Sequence, residues 1–238
     1  YACHYMASVY ENAVDLNAYD QDKNQPDSQE ISSNINMLEY VVARRSEHST
    51  DQIKELAIAS ACKLIIENGN DGFKARSVAK EMGYTVGTLY YTFGNMEQLR
   101  YHVCGSILDN FFTFTNEQLD KKKDRLTFML IQYVKFSQNH QNLWTFLFSY
   151  DTPPKEKLPD WYSQKLKTLF SQLQASFYPY TNGKAAAVRA LRVLWAGVHG
   201  ICVFSLNGRL ALYGDNNPET LAKHLLKTYL DGLKKSQQ

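Results

Sequence analysis

Five hydroxyl side chains crowd one short stretch of this chain: Thr85, Thr88, Tyr90, Tyr91 and Thr92, with Val86 and Leu89 between them and no carboxylate. Hydroxyls donate to phosphate oxygens, and threonine methyls suit the thymine methyl in a major groove. Cations lie close in sequence, Lys74 and Arg76 just upstream and the pair Arg44 and Arg45 further back. Beside a DNA-binding unit, an arginine arm of this kind can enter the minor groove. Read apart from their neighbours, the hydroxyls would decorate a surface helix and the arginines a solvated domain edge. A second set suits an apolar small molecule: Phe136, Trp144, Phe148, Trp161 and Trp195, with His140 and His199 as polar anchors. Taken singly, each of these rings is an ordinary core residue, and each histidine a satisfied core histidine.

What must position the hydroxyls is a helix-turn-helix. Residues 77–82 form a first short helix, Gly83 breaks it, Thr85 caps, and a second helix runs over residues 86–93. Ala79 is small where the two helices cross, and Gly83 takes a left-handed turn that a Cβ would resist. Leu89 returns to the same small core as Val78 and Met82. Upstream, Ser49 and Gln52 have the spacing of a capping box. Ile53, Leu56, Ala57, Ser60, Ala61, Leu64 and Ile65 then keep one face of a helix that Gly69 ends, and Phe73 plugs the core. After Phe93, Asn95 caps a helix running from Met96 to about residue 118, too long to serve the small unit alone.

With these residues in view, the stretch SVAKEMGYTVGTLYYTFGNMEQL, preceded by IKELAIASACKLIIENG, resembles the DNA-binding domain of the TetR family of transcriptional regulators. The resemblance covers about residues 51–111. It implies that Thr85, Val86 and Thr88 stand near bases and phosphates, that Tyr90 contacts backbone phosphate, and that Tyr91 faces DNA. Leu89 and Phe93 correspond to core positions. One departure is that the family often has Lys where this chain has Met96, a loss for which Lys74 and Arg76 would compensate.

From Asp124 onward the pattern is again helical, five segments in succession, with Pro153, Pro154 and Pro159 marking a loop. The run Trp195-Ala-Gly-Val-His199-Gly200 resembles the Trp…His-Gly signature of one class of TetR-family C-terminal domains, in which the last two helices form a dimer interface. Its helix is apolar on more than one face, and Gly197 and Gly200 would let another helix approach. The expected fold class is all-α. Residues 1–41 would be a disordered extension, residues 42–111 the helix-turn-helix domain, and residues 112–238 an effector-binding and dimerisation domain.

Composition agrees. Of 238 residues, 44% are hydrophobic and 21% charged, with a formal charge of +2. Residues 1–41 hold one Lys and seven Asp or Glu, so the remainder carries +8, which suits a polyanionic partner. The chain does not begin with Met, and the natural protein is expected to start near Val42. Four scattered cysteines and six histidines form no zinc pattern, no HExxH and no disulfide framework, as expected in a reducing cytoplasm. No uninterrupted apolar run reaches about 18 residues, so no membrane span is expected.

The expectation is a homodimer that binds a palindromic double-stranded DNA operator, needs no cofactor, and is released as a repressor by a small-molecule effector. A helical regulator working through a protein partner is the alternative. An enzyme would have to pair His140 or His199 with Asp151 or Asp160. Nothing in the sequence supplies a nucleophile on a sharp turn, a phosphate-binding glycine loop or a metal set.

Overall fold

The computed structural model describes residues 48–119, 124–148, 158–214 and 217–235. The expectations for residues 1–41, for a start near Val42, for Arg44 and Arg45, for Asp151 and for Pro153 and Pro154 lie outside the described residues. Among the described residues there are nine α-helices and no strand, so the chain is all-α. It divides into two compact units that meet between Val103 and Cys104.

In the N-terminal unit, α1 (Thr50–Asn68) opens on the reciprocal cap its sequence encodes. Ser49 Oγ accepts from the Gln52 amide at 3.3 Å, and Gln52 Oε1 accepts from the Ser49 amide at 2.8 Å. Such a cap contributes about 1 kcal/mol. Ala57, Ala61, Cys62 and Ile65 are fully buried. Gly69, at φ 60°, ends the helix with its amide on the Ile65 carbonyl. Gly72 then passes beneath α1 so closely that a Cβ there would sit 2.2 Å from the Leu64 carbonyl oxygen.

The next helices, α2 (Ala75–Glu81) and α3 (Val86–Phe93), are joined by a turn in which Gly83 takes φ 73° and Tyr84 N–H reaches the Ala79 carbonyl at 2.9 Å. The first helix begins two residues earlier than the sequence suggests, because Lys74 is already extended and serves as its N-cap residue. Val78, Ala79, Met82, Leu89 and Phe93 close the small core against α1. Asn95 Oδ1 caps α4 (Met96–Leu119) through the Gln98 amide at 2.9 Å. The opening turns of α4 add Leu99, Tyr101 and Val103 to the buried set. Phe73 is half-buried and lies 5.2 Å beneath the Arg100 guanidinium.

In the second unit, α5 (Arg125–Asn139) is central: it packs on α6 (Gln141–Phe148), α8 (Lys184–Leu206) and α9 (Pro218–Lys235). The remaining helix, α7 (Asp160–Ala175), lies along α8. Lys165 forms an ion pair with Asp109, and Trp161 lies over Gly105, 3.3 Å from where a Cβ would stand. Val134, Phe146, Phe177 and Leu226 are buried to 2% exposure or less.

By length and a mean hydropathy of 1.4 over its most apolar window, α8 alone among the described helices could cross a membrane. Counting uninterrupted apolar residues passed over it, because Arg189 and Arg192 break the run. Only about a third of that window is buried within the protomer. The close approach expected at Gly197 is made by α9 of the same chain, where a Cβ would lie 2.7 Å from Leu225 Cδ2; Gly200 has nothing within 4 Å.

Candidate nucleic-acid interface and ligand cavity

The geometry of α3 starts with Thr85. Its extended backbone stops the turn, and its Oγ1 accepts from the Thr88 amide at 3.1 Å. The hydroxyls of Thr85 and Thr88 lie 3.0 Å apart. Leu89 and Phe93 face inward, so Tyr90 at 43% and Tyr91 at 88% exposure project outward with Thr85. Val86 and Thr88 are half-buried beside them. Thr92 differs from the other hydroxyls: its Oγ1 turns back to donate to the Thr88 carbonyl at 2.9 Å.

Both Lys74 and Arg76 are exposed, and Lys74 lies 3.4 Å from the still more exposed Asp71. Such an exposed pair holds its lysine weakly. A residue the sequence reading did not single out ties the start of the unit to the turn: His48 Nδ1 lies 2.6 Å from the Tyr84 hydroxyl. His102 packs edge-on against Phe93, and burial, aided by Lys54, holds its pKa below the usual histidine value.

In the second unit the structure brings Trp144, Phe148, Trp195 and His199 together around a residue the sequence reading missed, Tyr133. Its ring lies 4.6 Å from Trp195, and its hydroxyl 2.8 Å from His199 Nδ1. His199 stacks on Trp144 at 4.8 Å and 25°, with Phe148 edge-on at 4.8 Å. The buried Trp144 indole N–H faces the same phenol without reaching good hydrogen-bond geometry. Burial pushes the Tyr133 pKa up, with the nearby Cys202 adding to it, and pushes those of His199 and His140 down. The cluster is therefore neutral around pH 7. Tyr133 stands three residues before Phe136 on α5 and seven before His140, the residue that caps the end of that helix.

Phe136 and His140 form an adjoining pair, rings 5.6 Å apart, joined to the cluster through Phe111. Trp161 lies elsewhere, on Tyr162 and over Gly105. Of the residues an acid–base pair would use, His199 meets the Tyr133 phenol and Asp160 opens α7.

Among the described residues, three cavities adjoin the cluster. One of about 70 Å³ is walled by Phe112, Met129, Leu130, Tyr133, Leu194 and Trp195, among other apolar residues. A second of about 30 Å³ lies among Ile107, Phe111, Phe136, Phe148 and Trp195. The third, about 680 Å³, is a groove between α7 and α8. Trp195 lines all three.

A three-helix unit presenting a short capped helix of outward hydroxyls, followed by a helical bundle with an apolar interior, defines a helix-turn-helix DNA-binding regulator. Residues 57–103 match the family model described as bacterial regulatory proteins, tetR family, and residues 126–229 the one described as tetracyclin repressor-like, C-terminal domain. The chain belongs to the TetR family of transcriptional regulators. Members bind DNA, typically form dimers and are generally not enzymes.

Among solved structures, a protein of unknown function from Rhodococcus sp. RHA1 shares the fold. It has a TM-score of 0.63 at 16% identity, over 79% of this chain and 97% of that one. NalD, the secondary repressor of the MexAB-OprM multidrug efflux pump in Pseudomonas aeruginosa, gives a TM-score of 0.45 at 19% identity, over 78% and 97% of the two chains. No curated protein sequence matches.

Proposed function

We propose that this chain is a homodimeric repressor that binds a palindromic operator through α3 and is released by an apolar small molecule. The observation that carries the reading is the outward face of α3. Thr85, Val86, Thr88, Tyr90 and Tyr91 share one capped helix end, with Lys74 and Arg76 exposed at the preceding helix. Arg44 and Arg45 would add minor-groove contacts, and the functional division would follow the sequence expectation, 1–41, 42–111 and 112–238, with α4 running on past the Val103–Cys104 boundary of the compact units. The description of the C-terminal family model, tetracyclin repressor-like, favours repression over activation.

For the effector, the cluster offers Phe136, His140, Trp144, Phe148, Trp195 and His199 with Tyr133 at their centre, whereas Trp161 acts from outside it. The cavity of about 70 Å³ beside Tyr133 is smaller than the several hundred typical of ligand sites. An effector must therefore part these walls, and it shifts DNA affinity only through the difference between its affinities for the closed and open states.

The deciding experiment is selection of binding sites from random duplexes, followed by a salt titration against a random control. Inverted half-sites with a steep salt slope are expected. Equal, weak binding to selected and control duplexes would move the reading to a regulator that acts through a protein partner.

A further inference from the structure

The groove of about 680 Å³ between α7 and α8 has a divided chemistry. Leu166, Phe170, Val188, Leu191 and Trp195 contribute an apolar floor, and Lys167, Lys184 and Arg192 stand around it as cations. No described carboxylate lines it, and α8 contains no acidic residue anywhere along its length. None of the three cations forms an ion pair or hydrogen bond with a described residue, whereas the neighbouring Lys165 is engaged by Asp109. Gln174, only 8% exposed, adds an amide whose Nε2 donates to the Tyr178 hydroxyl and whose carbonyl is left to accept.

We infer that this groove takes an amphipathic carboxylate, its acid group held by the cations and its aliphatic or ring body laid on Phe170, Leu191 and Trp195. Three cations around an apolar trough repel one another, and an anion relieves that repulsion while covering apolar surface. Arg192 lies one turn before Trp195 on α8, so a carboxylate bound bidentately there brings its body onto the indole. Leu191 and Trp195 also wall the cavity of about 70 Å³, so the occupied groove touches side chains that line both.

A second copy of this chain is a poor occupant. At about 100° per residue, the open stripe of α8 (Val193, Gly200, Phe204) faces well away from Lys184, Val188 and Arg192. The inference rests on the effector reading above, whose site it extends.

Calorimetry of the full chain with decanoate and naphthoate, each against its primary amide, and with decylammonium tests it. At least one acid is expected to bind about tenfold more tightly than its amide, a charge-assisted contact disappearing in the neutral probe. The Arg192→Gln and, independently, Lys167→Gln variants are expected to cut that preference severalfold while leaving amide affinity in place. Saturable binding of neither acid, equal binding of acid and amide, or preference for decylammonium overturns the inference. Operator release is scored separately: an acid that binds with the expected preference but leaves DNA binding unchanged upholds the groove and sinks the effector reading.

Discussion

The Tyr133 hydroxyl lies 2.8 Å from Nδ1 of His199, a hydrogen bond that joins α5 to α8 across 66 residues of sequence. Burial favours the neutral imidazole, whose Nε2-protonated tautomer lets Nδ1 accept the phenol proton. Tyr133→Phe keeps the ring against Trp195 and removes only this bond. Leaving a part-buried acceptor unpartnered costs about 1–3 kcal/mol. The expected outcome is a thermal midpoint lowered by several degrees with helix content retained. An unchanged midpoint would mean that water replaces the phenol at no cost.

A pH dependence follows from three histidines. His102, His140 and His199 are all held below the usual value of 6.5, chiefly by burial. The folded state thus takes up fewer protons than the unfolded chain as pH falls. The stability from keeping these rings neutral is complete above pH 6.5 and drains away as pH drops through their lowered values. Thermal midpoints measured from pH 7.5 to 5.5 are expected to fall, and His199→Gln is expected to flatten the curve. A midpoint that rises toward pH 5.5 would contradict the burial of these rings.

Local rules made much of the fold legible. The Ser49–Gln52 cap, the Gly69 stop, the Gly83 turn and the Thr85 cap each depend on a few adjacent residues whose backbone needs are specific, and each is present as read. The inward set of α2 and α3 followed from spacing as well. What sequence could not assign were partners distant along the chain. From sequence, Gly197 admits another helix, but only the structure shows that this helix is α9 of the same chain, through Leu225. Trp161 belonged by type with the other aromatics but packs on Tyr162 over Gly105, whereas Tyr133 was overlooked because a lone tyrosine in an apolar helix announces nothing. The groove cations were missed for a similar reason: their significance comes from α7 and α8 lying side by side.

The proposed recognition face separates binding from folding by substitution. Thr85→Ala is a poor probe, since it removes the α3 cap and costs about 1 kcal/mol of stability as well. Tyr90→Phe is cleaner, because a ring at 43% exposure loses only a hydroxyl. It is expected to weaken operator affinity severalfold with no shift in thermal midpoint. Arg76→Gln is expected to weaken binding to all sequences alike and to lower the salt slope by about 1, the mark of one lost phosphate contact. Filter binding across a salt series reads both effects. Full affinity in both variants would remove α2 and α3 from the interface.

The proposed homodimer calls for an apolar seam, and α8 offers a face for one. Along α8, Val193 at 56% and Phe204 at 44% exposure flank Gly200, which has nothing within 4 Å, and they share one face of the helix. A stripe of this kind on a helix whose other faces meet α5, α7 and α9 is the natural seat of a two-fold contact. Phe204→Glu places a charge in that seam while touching little of the protomer's own core. The expected result in sedimentation is a shift from dimer to monomer, with a thermal midpoint that no longer rises with protein concentration. Gly200→Leu should act in the same direction by holding the helices apart. If both variants sediment as dimers, the seam lies elsewhere, and the apolar stripe of α8 needs another partner.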